Sequence, residues 1–181
     1  MSLASNYPSY VKCLSANQRE TLREEKSFLF IRTKNPVELV KVDKGVIPET
    51  PNQSMCDFLI YDKHQKVSNF IELKGEDVKK ACDQIYGTVE YFENHSVLKQ
   101  AVTNMELLKG YIVSPHCNVP DIDNTHRKKV YRKLYAKSRS KLANAFDHLV
   151  FVRCVPKIVG NATPREENGE LKVCNDFPLI L

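Results

Sequence analysis

The stretch between residues 54 and 85, SMCDFLIYDKHQKVSNFIELKGEDVKKACDQI, constrains this chain most. Two apolar runs, DFLIY at 57–61 and VSNFIELK at 67–74, flank the polar segment DKHQK, the pattern of a β-hairpin. Gly75 ends the second run. Beyond it Val78, Ala81, Cys82, Ile85, Val89 and Phe92 recur at helical spacing. A hairpin that feeds an amphipathic helix sets an α/β arrangement, with the helix laid on the sheet.

The spacing within the hairpin carries a second consequence. With the turn centred between His64 and Gln65, residues whose numbers sum to 129 face each other, so Tyr61 stands opposite Ser68 and Asp57 opposite Glu72. Opposed side chains share a face with Cβ atoms about 4.5–5.5 Å apart. Lys74, two residues past Glu72, points to the same face. A slip of one residue would separate the three groups.

Two carboxylates that close repel each other, and between apolar strands they need a cation. Lys74 supplies one charge, and Mg²⁺ or Mn²⁺ would supply more, since carboxylate oxygens are the ligands Mg²⁺ prefers. Such a metal stabilises charge on a phosphodiester under attack and lowers the pKa of a bound water. Lys74 is placed to orient or deprotonate that water, or to neutralise the transition state. The plainer alternative is a solvated, salt-bridged sheet edge.

The flanking sequence supplies further elements. Residues 15–25, SANQRETLREE, contain no Gly or Pro and follow a plausible N-cap, Ser15, so they are predicted to be a helix. On it Leu14, Gln18, Leu22 and Glu25 share one face, with Glu20 and Glu24 opposite, so Glu25 is the inward-facing acid if this helix packs on the body, and all three acids are solvated otherwise. Strands are predicted at 28–32, 37–42, 107–113 and 148–154, with a final β-like stretch near 171–174. The turn signals Asn35-Pro36 and Asp43-Lys44-Gly45, and a loop with Pro48 and Pro51, separate the first of these from the hairpin.

Residues 125–141, THRKKVYRKLYAKSRSK, form a basic helical segment, and no acidic residue occurs between Asn124 and Phe146. Cationic side chains suit a phosphate backbone through counterion release, and Lys128, Lys129, Arg132 and Lys133 are the candidate phosphate contacts. Tyr131 and Tyr135 are spaced either to stack on bases or to pack inward.

Asp57, followed by Glu72-Leu73-Lys74 at the end of the next strand and then a helix, resembles the PD-(D/E)xK nuclease superfamily. The resemblance covers residues 15–115. It implies a restriction-endonuclease-like core, a mixed central β-sheet flanked by α-helices in αβββαβ order. It also implies a metal-dependent nuclease that hydrolyses phosphodiester bonds of nucleic acid, DNA favoured and RNA possible. Asp57 matches the family's metal-binding aspartate, Glu72 its second acidic ligand and Lys74 its catalytic lysine. Cys56 stands where the motif has proline. Some branches place a glutamine in the following helix, where Gln84 fits, within a Gln-x-x-x-Tyr pattern that here has Thr88 in place of the tyrosine. Some members also draw a metal ligand from the first helix, the place of Glu25. Two readings of other classes stand beside this one: an inactive nucleic-acid-binding module on the same fold, and an interaction protein whose hairpin charges are structural.

At 181 residues, 42% apolar and 27% charged, the chain has the composition of one globular domain, 1–181, with a core at 15–115 and an extension at 116–181. Its net charge of +5 is too modest to imply nucleic acid by itself. Six cysteines without a Cys-x-x-Cys pair, and an N-terminus without an apolar run, predict reduced, mostly buried thiols in a cytoplasmic protein. The pair His116-Cys117 lacks a second pair at zinc-ligand spacing. No stretch approaches the roughly 20 apolar residues of a membrane span. A homodimer or a partner protein is compatible with the small size.

Overall fold

The computed structural model describes residues 2–24, 27–49, 55–74, 77–115, 124–155, 165–167 (backbone only) and 170–181. In chain order the elements are α1 (Leu3–Asn6), β1 (Val11–Leu14), β2 (Arg19–Glu24), β3 (Ser27–Arg32), β4 (Val37–Lys41), β5 (Phe58–Asp62), β6 (Val67–Leu73) and α2 (Val78–Asn94). A 3₁₀ turn (Leu98–Ala101), β7 (Leu107–Val113), α3 (Thr125–Lys137), a second 3₁₀ turn (Ala145–His148), β8 (Leu149–Cys154), β9 (Arg165–Glu167), β10 (Glu170–Val173) and β11 (Leu179–Ile180) follow. Eight strands form one mixed sheet in the order β1-β4-β5-β6-β7-β8-β10-β9, and three form a second, β11-β3-β2. The protein is therefore a mixed α/β molecule with a large central sheet.

The centre of the large sheet follows from the hairpin. β5 and β6 pair antiparallel with Tyr61 opposite Ser68 and Phe58 opposite Ile71, the register in which numbers sum to 129. The Asp62 carboxylate accepts from Gln65 N at 2.8 Å, and Lys66 takes a positive φ of 54°, which closes the turn. β6, β7 and β8 then run parallel. α2 connects the first two and α3 the last two, as parallel strands require.

Each face of the sheet has its own core. On one side Leu59, Phe70, Leu108, Ile112 and Phe151 pack against Val78, Ala81, Ile85, Val89 and Phe92 of α2 and Val130 and Leu134 of α3. On the other, Ile60, Ile71, Leu73, Tyr111 and Val113 pack against Leu22, Leu29 and Ile31 of the small sheet. β5 and β6 alternate between these two apolar layers, so both of their faces are buried. Gly110 permits the helices to approach closely: a Cβ there would meet Leu149 Cδ1 at 2.9 Å and Leu134 Cδ1 at 3.2 Å.

The predicted helix at 15–25 is not formed. Asn17 adopts φ 60°, and Arg19–Glu24 is β2, paired antiparallel with β3 from Arg19–Arg32 to Glu24–Ser27. Its residues are good helix formers, but only Leu22 is buried, whereas the apolar run of β3 needs a strand partner. Tertiary pairing overrides local propensity here. The order αβββαβ therefore lacks its first helix. At the C-terminus β8, β10 and β9 extend the same large sheet. Among the described residues no helix is long and apolar enough to cross a membrane. Cys56, Cys82, Cys154 and Cys174 are buried and Cys13 is exposed. His116 and Cys117 lie outside the described residues.

Candidate functional site

The site forms where the chain enters β5 and leaves β6. At Cys56 and Asp57 the backbone leans toward β4: Val42 N donates to Asp57 O (2.9 Å) and Asp43 N to Cys56 O (3.2 Å). The N–H of Leu73, which faces β5, is left to the Asp57 side chain and donates to Oδ2 at 2.7 Å. The Asp57 backbone N–H also favours the charged form of the Glu72 carboxyl, less strongly than burial opposes it. The hairpin register thus continues one step past the last paired residues and brings Asp57 and Glu72 together. Lys74 N donates to Val113 O at 2.7 Å, which keeps its backbone in line with β6. Its ammonium stands 3.9 Å from Glu72 Oε1, at the outer limit of an ion pair.

Electrostatically this is an unfinished site. Asp57 is 5% exposed and Glu72 1%. Burial pushes Asp57 up to about 6, against the Leu73 N–H and the Lys41 charge, with Glu24 and Asp43 adding to the rise. Burial pushes Glu72 further, to about 9, helped by the Asp57 charge and opposed by Lys74. Glu72 Oε2 is buried without a hydrogen-bond partner. One ammonium at 3.9 Å does not compensate two desolvated carboxylates.

The helix that follows braces this corner. Gln84 Nε2 donates to Met55 O at 3.0 Å, and Thr88 Oγ1 accepts from Cys56 N at 2.8 Å while donating to Gln84 O at 2.8 Å. One turn of α2 therefore holds the two residues that precede Asp57. Gln84 is buried, and its Oε1 has no hydrogen-bond partner. The signal for Thr88 was present in the sequence as a polar residue four places after Gln84 on the apolar side of the helix; what it touches was not.

Lys41 and Glu24 were also missed. They pair at 2.6 Å, and Lys41 lies 4.5 Å from the Phe58 ring centroid. Glu24, expected on the side of a helix away from Glu25, stands on β2 with its charge acting on Asp57. The role proposed for Glu25 depended on a helix that does not form, and the residue itself lies outside the described residues.

The basic helix is only partly available to a ligand. Lys133 pairs with Glu93 at 2.7 Å and with Glu90 at 3.6 Å, and Lys137 also pairs with Glu93. Lys133 therefore serves the seam between α2 and α3 first, a correction to its place among the phosphate contacts. Lys129 lies over the Tyr86 ring at 3.9 Å and remains exposed, as does Arg132, while Lys128 is half-buried. Tyr131 is buried and Tyr135 meets His148 edge-on at 5.5 Å, so both tyrosines pack and neither is presented for stacking on bases.

Among the described residues Asp57 and Glu72 could supply oxygen donors to a cation. Among the described residues no cluster of three or more His, Cys, Asp and Glu is arranged to hold a metal. Mg²⁺ is commonly held by one or two carboxylates with water completing its shell, so the pair suffices for that ion and not for a site built only of protein ligands. The unpartnered Glu72 Oε2 and the raised pKa of both carboxyls fit such a cation, which would replace the missing positive charge. Comparisons with models of known protein families, with curated proteins and with solved structures find no match for the chain.

Proposed function

We propose that the protein is a divalent-metal-dependent nuclease that hydrolyses phosphodiester bonds of nucleic acid, DNA in preference to RNA. On this reading residues 15–115 form a restriction-endonuclease-like core in which β2 stands in the place of the first helix. One observation carries it: two adjacent carboxylates, Asp57 and Glu72, are buried at a strand end with one oxygen unpartnered and a lysine beside them. An arrangement serving stability alone would pair these charges or leave them in water.

Asp57 and Glu72 would hold Mg²⁺ or Mn²⁺, which when bound supplies a Lewis acid for the phosphate oxygen and a more acidic water. Lys74, half-buried and within reach of Glu72, positions a nucleophilic water or offsets charge on the phosphate. The Leu73 N–H fixes Asp57 Oδ2, and Gln84 and Thr88 fix the segment before Asp57. Lys129 and Arg132 are exposed on α3 to meet the phosphate backbone, with Lys128 alongside.

The test is cleavage of duplex DNA, single-stranded DNA and RNA with Mg²⁺ or Mn²⁺, comparing the parent with Asp57→Ala and Lys74→Ala. Metal-dependent cleavage lost in both variants is the expected result. Cleavage by the variants at the parent's rate overturns the assignment of these residues. Salt-sensitive binding of the polynucleotide without cleavage by any form supports an inactive binding module instead.

A further inference from the structure

A second feature lies away from this corner, at the edge of the large sheet. β10 pairs with β8 only from Phe151 onward. Beside the uncovered start of β8 lies a cleft of about 600 Å³. That volume falls in the range of small-molecule sites, roughly 300–1,000 Å³.

The lining combines apolar walls with two cations. Leu149, Leu171 and Ile180 supply the walls together with Phe146. Ile180 is 42% exposed, one of only two large apolar side chains so exposed among the described residues, so an apolar ligand here would remove surface that folding leaves wet. Arg127 bounds the cleft from α3, its guanidinium carbon 5.1 Å from the Phe151 ring centroid.

Lys109 enters from β7 with its ammonium 5.9 Å from the Tyr111 ring centroid. It forms no ion pair or hydrogen bond among the described residues, although the Asp147 charge acts on it from the same cleft. Burial lowers its pKa below the ordinary lysine value. A half-buried ammonium without a hydrogen-bond acceptor gains most from an anion brought to it. Asp147 opposes a second negative charge nearby, which favours a monoanion over a dianion.

We propose that this cleft binds a small organic monoanion with a flat apolar body, its anionic group on Lys109 and its body along Phe146, Leu171 and Ile180. The site is separate from the carboxylate pair. Lys109 precedes Val113, the residue that receives the Lys74 N–H, by four residues, about 13 Å along β7. Lys109 also shares the face of Tyr111, opposite to α2.

A fluorescence titration with 8-anilinonaphthalene-1-sulfonate tests this. The parent should bind one equivalent saturably. The uncharged N-phenyl-1-naphthylamine and the dianionic 1-naphthyl phosphate should each bind about tenfold more weakly or worse. Lys109→Met should weaken the sulfonate by about tenfold, Lys109→Arg should retain it, and Lys99→Met, at an exposed lysine elsewhere, should leave it unchanged. Circular dichroism melts establish that the variants are folded, and Ile180→Asp reaches the same cleft without touching Lys109. Equal affinity of parent, Lys109→Met and Ile180→Asp for the sulfonate, or several weak sites on the parent, overturns the proposal. Asp57→Asn should bind the sulfonate as the parent does, so this result is independent of nuclease activity.

Discussion

Acids and bases meet in two places in this protein, and the two are built differently. In the seam between α2 and α3, Glu93 receives Lys133 and Lys137, and despite partial burial these hydrogen bonds hold its carboxyl below the ordinary value. At the end of β6, Glu72 has one lysine at 3.9 Å and an oxygen with no partner, and its carboxyl is pushed far up. The seam neutralises its acid once the chain has folded: Glu93 Oε1, like Glu72 Oε2, is buried without a hydrogen bond, but it lies against the Lys137 ammonium. At the strand end a single lysine at 3.9 Å faces two buried carboxyls, and this difference is what the proposed cation at Asp57 and Glu72 would make up.

The largest expected difference between the two regions is in rate. Asp57→Asn and Glu72→Gln should each lower single-turnover cleavage by about 10³-fold and Lys74→Ala by about 10²-fold. Lys133→Ala should stay within about threefold of the parent, since its main partners are Glu93 and Glu90. A loss at Lys133 as large as that at Glu72 would erase the distinction.

The next difference is in pH dependence without metal. The folded protein holds protons on Asp57 and Glu72 at pH values where the unfolded chain, with carboxyls near 3.8 and 4.5, has released them. Their contribution to stability is therefore fully present below the unfolded values and is lost as the pH rises through about 6 for Asp57 and about 9 for Glu72. The metal-free protein should lose stability through both groups as the pH rises from about 4 to about 6, and through Glu72 alone from there to about 9. Glu72→Gln should flatten the upper part of that slope. Denaturant midpoints across this range measure it, and an unchanged slope in Glu72→Gln would mean that the pair is not buried as described.

Smaller effects sharpen the picture. Thr88→Val should cost about 1–3 kcal/mol, because the Cys56 N–H loses its acceptor, and Thr88→Ser should restore most of it in urea unfolding. Lys133→Ala should cost about 1 kcal/mol or less by the same measure. Arg132→Ala should leave stability within about 0.5 kcal/mol and lower the salt slope of DNA binding by about one.

The parts of this molecule that could be read from sequence are those set by short-range pattern. Alternation in DFLIY and VSNFIELK, with a polar turn between them, fixed the register that brings Asp57 to Glu72. The apolar stripe of α2 and the strand at Leu107–Val113 were legible for the same reason. β2 was not, because RETLRE is locally helical and becomes a strand only by pairing with β3. The brace from Gln84 and Thr88 was only half legible: two polar residues on a buried helix face signal a partner, but the backbone of Met55 and Cys56 lies about 30 residues away in the chain. The partners of Lys133 sit on another helix, so its charge could be read and its engagement could not.

The central claim is that Asp57 and Glu72 form a divalent cation site, and calorimetric titration of Mn²⁺ at pH 7.5 tests it most directly. The parent should bind one ion with release of protons, seen as a heat that changes with the buffer, because Glu72 must ionise to coordinate. Asp57→Asn and Glu72→Gln should bind at least about tenfold more weakly. Binding of Mn²⁺ to Glu72→Gln with the parent's affinity, or no binding to the parent at all, would contradict the account.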